Sequence, residues 1–248
     1  MQGGAVVLLA ESPGTIALPT SEIGRFVLFT VSLAATRQPP DTHLAVTASA
    51  SVTENLNTAI RELRPVDEWL WIIGDDHVWE PDCLTRLLAV LDDHLQIDVL
   101  VPLVTKRNPP WHLVVFDEAG SYEDGLPRWK PLEWEQIPPH GVFEIDAAGS
   151  AGMLVRREVL EALSDPWFES SGGVVLNEDV MFCRKAKAAG FRVFATSDVV
   201  MGHLGIFNVR PYHRDGRWGA LTEFSSAEEQ FRSIFMPTQE AEPVVSGR

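Results

Sequence analysis

Cysteine is scarce. Cys83 and Cys183 are the only two in 248 residues, and both fall inside predicted helices, so a disulfide framework is excluded and a reducing, cytoplasmic location is expected. Basic residues are also short: 20 Lys and Arg stand against 35 Asp and Glu, for a net charge of -15. That balance argues against a nucleic-acid backbone or an anionic membrane as the main partner. The start, Met1-Gln-Gly-Gly, lacks the basic region of a signal peptide. The apolar run Phe26 to Ala35 falls short of the roughly 20 residues that span a bilayer, so no membrane span is expected and the run reads as a buried helix capped by Ser21. There is no internal repeat and no low-complexity segment.

What is present is strand–helix alternation. Ala5 to Leu9 reads as a first strand, ending in the loop Ala10-Glu-Ser-Pro-Gly14. His43 to Thr47 is a second, followed by a helix from Ser51 or Thr53 to Leu63. Trp69 to Ile73 and Val99 to Leu103 are further strands, separated by a helix with Leu84, Leu87, Leu88 and Leu91 on one stripe. The alternation predicts an α/β fold with a mostly parallel, doubly wound sheet. From 106 to 141 the chain turns Pro- and Trp-rich and loses helical periodicity. It reads as an irregular β-rich insertion, with a strand near His112 to Phe116 and a turn at Glu123-Asp-Gly125. Phe143 to Ala147 and Ala151 to Val155 read as strands, Arg156 to Leu163 as a helix, and 177–190 as a helix capped by Asn177 and stopped at Gly190. Phe191 to Ala195 is a last strand before the glycine-flanked loop Met201 to Gly205. One domain over residues 1–230 and a disordered tail over 231–248 are expected.

The central stretch is Trp69-Leu-Trp-Ile-Ile-Gly-Asp-Asp-His77, a strand buried on both faces that runs into adjacent carboxylates. Open α/β sheets place ligands at such strand ends. Asp75 and Asp76 are therefore candidates for holding a divalent metal and a phosphorylated ligand. Acids before a helix also serve as caps, so the stretch alone leaves both readings open.

Four stretches, in order, resemble the inverting family 2 glycosyltransferases of the GT-A fold. They are Ser51-Val-Thr-Glu-Asn-Leu-Asn-Thr-Ala59; Ile72-Ile-Gly-Asp-Asp-His-Val-Trp-Glu-Pro-Asp82; Asp146-Ala-Ala-Gly-Ser-Ala-Gly-Met-Leu-Val-Arg-Arg157; and Asn177-Glu-Asp-Val-Met-Phe-Cys-Arg184 with Gly202-His203. The resemblance covers roughly residues 5 to 207. It implies a single GT-A domain that moves a sugar from a nucleotide donor, UDP- or GDP-linked, to a hydroxyl acceptor. Asp76 and His203 would hold the metal with Asp75, and an imidazole ligand favours Mn²⁺ over Mg²⁺. Asp179 would be the general base, with Glu178 as neighbour or substitute, although a helix N-terminus lowers a carboxylate's pKa. Ala10, Glu11, Pro13, Asn57, Asp75, Lys106 and Arg107 would meet the nucleotide. Gly149, Ser150 and Trp167 would meet the sugars; Trp111, Trp129 and Trp134 are further stacking candidates or simply core cover. His213 and Arg214 would belong to a lid.

Two positions depart from the family. Gly74 stands where a first acid is usual, and Leu56 where an arginine is. Both favour the alternative of a non-catalytic sugar-nucleotide-binding protein. A nucleotidyltransferase is a further alternative, disfavoured because Glu11-Ser-Pro-Gly14 carries no Lys or Arg.

Overall fold

The computed structural model describes residues 8–20, 26–49, 51–107, 111–121, 127–170, 177–205, 208–225, 230–235 and 242–244. In chain order the first half holds β1 (Thr15–Thr20), α1 (Val27–Ala35), β2 (His43–Ala48), α2 (Val52–Arg61), β3 (Trp69–Ile72), β4 (His77–Val78), α3 (Cys83–Asp93) and β5 (Val99–Leu103). The middle holds β6 (Val115–Ser121), β7 (Pro127–Pro131), β8 (Val142–Glu144), β9 (Ala147–Ala148), β10 (Leu154–Arg156), α4 (Arg157–Ala162) and α5 (Glu178–Ala188). The last part is all strand: β11 (Val193–Val200), β12 (Gly202–Leu204), β13 (Asn208–Arg214), β14 (Arg217–Ser225), β15 (Gln230–Phe235) and β16 (Glu242–Val244).

The main sheet has seven strands in the order β2-β1-β3-β10-β5-β11-β8. β1 pairs in parallel with β2 and β3, and β5 with β11, whereas β10 lies antiparallel between β3 and β5 and β8 closes the far edge antiparallel. Five of the seven strands thus point the same way, and the sheet is mixed. A second sheet, β16-β15-β14-β13-β12-β4, carries β4 at its edge, directly after the carboxylates. β6 and β7, within 106–141, pair with β9 in a small three-stranded sheet; the turn at 123–125 lies outside the described residues.

Helices cover both faces of the main sheet. On one face α3 presents Leu84, Leu87, Leu88 and Leu91, all fully buried, to Trp69, Trp71 and Ile73. On the other, Leu56, Ala59 and Ile60 of α2 and Phe182 of α5 pack on Leu70, Ile72 and Val101, and Phe168 stacks on Phe182 at 4.5 Å. Ser51 caps α2 by accepting the Glu54 N–H, whereas Asn177 flanks α5 without a side-chain cap.

Two expectations are corrected. Among the described residues the first strand is Thr15–Thr20, and Leu9–Glu11 form a 3₁₀ turn ahead of it; of the strand expected at Ala5 to Leu9, the part up to Val7 lies outside the described residues. α1 is not a buried helix. Phe29 and Ser32 are its buried residues, Phe29 edge-on to Trp79, while Val27, Leu28 and Val31 are 80%, 58% and 57% exposed. The helix lies at the margin of the sheet, so one narrow face suffices to dock it; Ser21 is outside the described residues. Residues 230–235 and 242–244 pair as β15 and β16, and the rest of 236–248 lies outside the described residues. His213 and Arg214 stand in the β13–β14 hairpin, turned by Asp215 and Gly216 at φ 54° and 75°.

Candidate active site

The carboxyl ends of β1, β2 and β3 meet on one edge of the main sheet, where a cleft of about 420 Å³ opens. Thr20, Asn55, Asp75, Asp76, His77 and Ser150 contribute to its walls. Thr20 Oγ1 donates to Asp75 Oδ2 at 2.6 Å, and Asn55 Nδ2 donates to the Thr20 carbonyl at 3.2 Å, which fixes the acid against the end of β1.

Asp76 is the hub. Its Oδ2 receives Arg107 at 3.1 Å and lies 3.2 Å from His203 Nε2, while Oδ1 lies 2.8 Å from His77 Nδ1. Ligand atoms of Asp76, His77 and His203 fall within 4.8 Å of one another, a group able to hold a metal ion. The two imidazoles are brought together by pairing of β4 with β12, His77 opposite His203, and their rings stack at 4.2 Å. His203 Nδ1 donates to the Thr105 carbonyl at 3.0 Å, which orients the ring so that Nε2 faces Asp76. His77 is 5% exposed, and its near approach to Asp76 is out of line for a hydrogen bond, so both ring nitrogens lack a hydrogen-bond partner. A buried imidazole left in that state is unusual, and a cation among these donors would satisfy it.

The electrostatics agree. Burial opposes charge on Asp76, but the imidazoles of His203 and His77 outweigh it and hold the carboxyl well below the usual range. Burial lowers His77 from the ordinary histidine value, against the pull of Asp76, and so favours the neutral ring that a metal ligand requires.

Gly74 has a packing reason. A Cβ there would lie 2.6 Å from His77 Nδ1 and 3.1 Å from Asp76 Oδ1, so any side chain would push the cluster apart. Leu56 is 1% exposed and packs in the core beneath α2.

Asp179, at the start of α5, lies behind the cleft wall. Its Oδ2 is 3.6 Å from where a Gly149 Cβ would be, and the backbone N–H of Ser150 reaches it. Burial, then the charge of Glu178, pushes its carboxyl up to about 6, although the Val180 and Ser150 N–H groups work against the rise. The helix N-terminus does not win here: desolvation is the larger effect, and the expected lowering is overturned.

The other expected residues separate. Lys106 is exposed beside Arg107. Ala10, Glu11 and Pro13 precede β1 and lie at the opposite end of the sheet from the cleft. There the Leu9 and Ala10 N–H groups bond Asp92 and the Pro13 carbonyl accepts from Glu68. Asn57 is a core residue: Nδ2 donates to the Phe168 carbonyl at 2.8 Å and Oδ1 accepts the Phe168 N–H at 2.9 Å. Asn55, two residues earlier, is the asparagine that faces the cleft. Trp167 packs on the core and donates to the Leu160 carbonyl; Trp134 is buried, and Trp111 and Trp129 cover the same core. Reading the sequence missed Thr20, Asn55 and His77. Placing the first strand at Thr15–Thr20 would have found the first two; His77 is adjacent to the acids and needed only the β4–β12 pairing to enter the site.

Fold and cleft together define an α/β protein with a carboxylate–imidazole cluster at the carboxyl edge of its sheet. No protein-family model matches the chain, and no curated protein matches its sequence. Among solved structures it is similar to A197 from STIV, with TM-score 0.54 and 16% identity over 93% of this chain and 97% of that one. It is also similar to the glycosyltransferase GalNAc-T7, crystallised with UDP, GalNAc and Mn²⁺, with TM-score 0.55 and 12% identity over 83% of this chain. The chain spans 45% of the GalNAc-T7 chain. The S. aureus glycosyltransferase TarS overlays more loosely, at TM-score 0.46 and 17% identity over 75% of this chain and 58% of that one. At such identities the likeness is one of fold alone, an α/β fold shared with A197 and GalNAc-T7. Among the described residues no helix is long and apolar enough to cross a membrane.

Proposed function

We propose that this protein is a metal-dependent glycosyltransferase of the GT-A type, taking its sugar from a nucleoside diphosphate donor. The observation that carries the reading is the Asp76–His77–His203 cluster, with two unpartnered nitrogens, on the wall of a cleft large enough for a nucleotide. Asp76, His77 and His203 would hold the ion; Asp75, steadied by Thr20, would meet the ribose or the ion. Mn²⁺ suits the two imidazoles better than Mg²⁺. When bound, the cation supplies charge stabilisation for the departing diphosphate.

Asp179 would take the proton of the acceptor hydroxyl as its oxygen forms a bond to the anomeric carbon and the bond to the diphosphate oxygen breaks, with inversion. A carboxyl raised to about 6 is still ionised at neutral pH and is a stronger base than an ordinary one. Glu178 would act on Asp179 through its charge. Ser150 and Gly149 would line the sugar side. A cytoplasmic location would suit two buried, unpaired cysteines.

The two departures that favoured a non-catalytic binding protein, Gly74 and Leu56, have packing reasons, which leaves transfer as the better reading. A thermal-shift panel of UDP-, GDP-, CMP- and dTDP-sugars with and without Mn²⁺ tests it. Stabilisation by one donor that depends on Mn²⁺ is expected; no response to any donor would refute the reading.

A further inference from the structure

Arg107 occupies an unusual place. The segment that follows β5 does two things at once: Thr105 holds His203 Nδ1 through its carbonyl, and Arg107 Nη1 donates to Asp76 Oδ2 at 3.1 Å. The segment is itself anchored, by the Thr105–Leu113 bridge and by the Lys106 N–H on the His112 carbonyl. The guanidinium is 38% exposed and Asp76 18%, so the pair is partly open to solvent, and Asp76 itself lines the cleft. Asp76 Oδ2 is also the atom nearest His203 Nε2, hence the oxygen a cation shared by these two residues would use.

Resting on the metal-site reading above, we propose that Arg107 and the divalent ion compete for Asp76 Oδ2, so that arrival of the metal releases the guanidinium to the nucleotide diphosphate. Both cannot stay. An ion on Oδ2 would lie within a few ångströms of the guanidinium, and like charges that close in a partly buried site repel strongly. The displaced Arg107 remains tethered at the end of β5, beside the cleft, and its planar fork of donors matches phosphate oxygens. In a chain of net charge -15 a released cation beside Asp76 is well used by an anionic ligand. Binding is then ordered: metal first, nucleotide second, with Arg107 as the coupling between them.

The test measures free Mn²⁺ by electron paramagnetic resonance during titration of wild type, Arg107→Gln, Arg107→Lys and Asp76→Asn, and then UDP affinity by calorimetry at saturating Mn²⁺. Removing the competitor is expected to tighten Mn²⁺ binding about five- to tenfold in Arg107→Gln, the size of one partly exposed charge-assisted bond, with Arg107→Lys between it and wild type. UDP is expected to bind Arg107→Gln about tenfold more weakly. Unchanged or weaker Mn²⁺ binding in Arg107→Gln, with Asp76→Asn defective, would overturn the competition while leaving the metal site standing. Mn²⁺ binding by none of the four proteins would overturn the metal site and the competition together. Tighter Mn²⁺ with unchanged UDP affinity would overturn the transfer of Arg107 to phosphate.

Discussion

His203 Nε2 faces Asp76 Oδ2 across 3.2 Å while the other nitrogen of the same ring is committed to the Thr105 carbonyl. A carboxylate oxygen and an imidazole nitrogen held that close, with His77 beside them, form a group able to hold a cation. Saturating Mn²⁺ at about 100 times its Kd would stabilise the fold by about 2.7 kcal/mol, a rise in Tm of roughly 5 to 10 °C for a chain of this size. His203→Ala and Asp76→Asn are expected to abolish that rise. Differential scanning calorimetry with and without Mn²⁺ checks it.

Gly74 sets the spacing of the cluster. In Gly74→Ala the new Cβ would meet His77 Nδ1 at 2.6 Å. The expected outcome is a loss of about tenfold or more in Mn²⁺ affinity, as for other disturbed ligand supports, with a stability cost of about 1–3 kcal/mol from overpacking. Metal titration and chemical denaturation of the same variant separate the two effects.

Asp179 gives a pH signature. Its folded pKa, about 6, lies above the ordinary 3.8, so the native state holds the proton more tightly than the unfolded chain. Stability is therefore highest below about 3.8 for this group and is lost as pH rises toward 6 and beyond. Asp179→Asn removes that loss. Its Tm relative to wild type is expected to be higher at pH 8 than at pH 5, while transfer by wild type falls as pH drops through about 6 and is absent in the variant. Thermal melts at the two pH values and a pH–rate profile test both halves.

The two asparagines of α2 separate structure from binding. Asn57→Ala breaks two buried hydrogen bonds to Phe168. It is expected to cost about 2 kcal/mol and leave nucleotide affinity unchanged. Asn55→Ala, on the cleft side, is expected to weaken UDP binding. Equilibrium unfolding and calorimetry on both variants decide which asparagine serves the ligand.

Much of this arrangement is legible in the chain. The Leu84, Leu87, Leu88, Leu91 stripe specifies α3 by period, and the Trp69 strand announces itself as buried on both faces. Asp75 and Asp76 stand out because nothing local explains them. Thr15–Thr20 is harder: Pro19 argues against a central strand, and is tolerated only because pairing with β3 ends at Ala17. That one misplacement moves the loop at the strand's end to Ala10, Glu11 and Pro13, at the wrong end of the sheet. Asn55 and Asn57 differ by two residues on a helix, about 200° of rotation, and no single-residue property says which one faces the cleft. His77 needs a partner 126 residues away, His203 of β12, before it becomes part of a site.

Anomalous diffraction from crystals grown with Mn²⁺ and UDP tests the central claim most directly. The expected result is one Mn²⁺ peak bounded by Asp76, His77 and His203, with the diphosphate against it in the cleft and Arg107 withdrawn from Asp76. Nucleotide bound in the cleft with no Mn²⁺ peak at these three residues, or Mn²⁺ bound elsewhere, would contradict it.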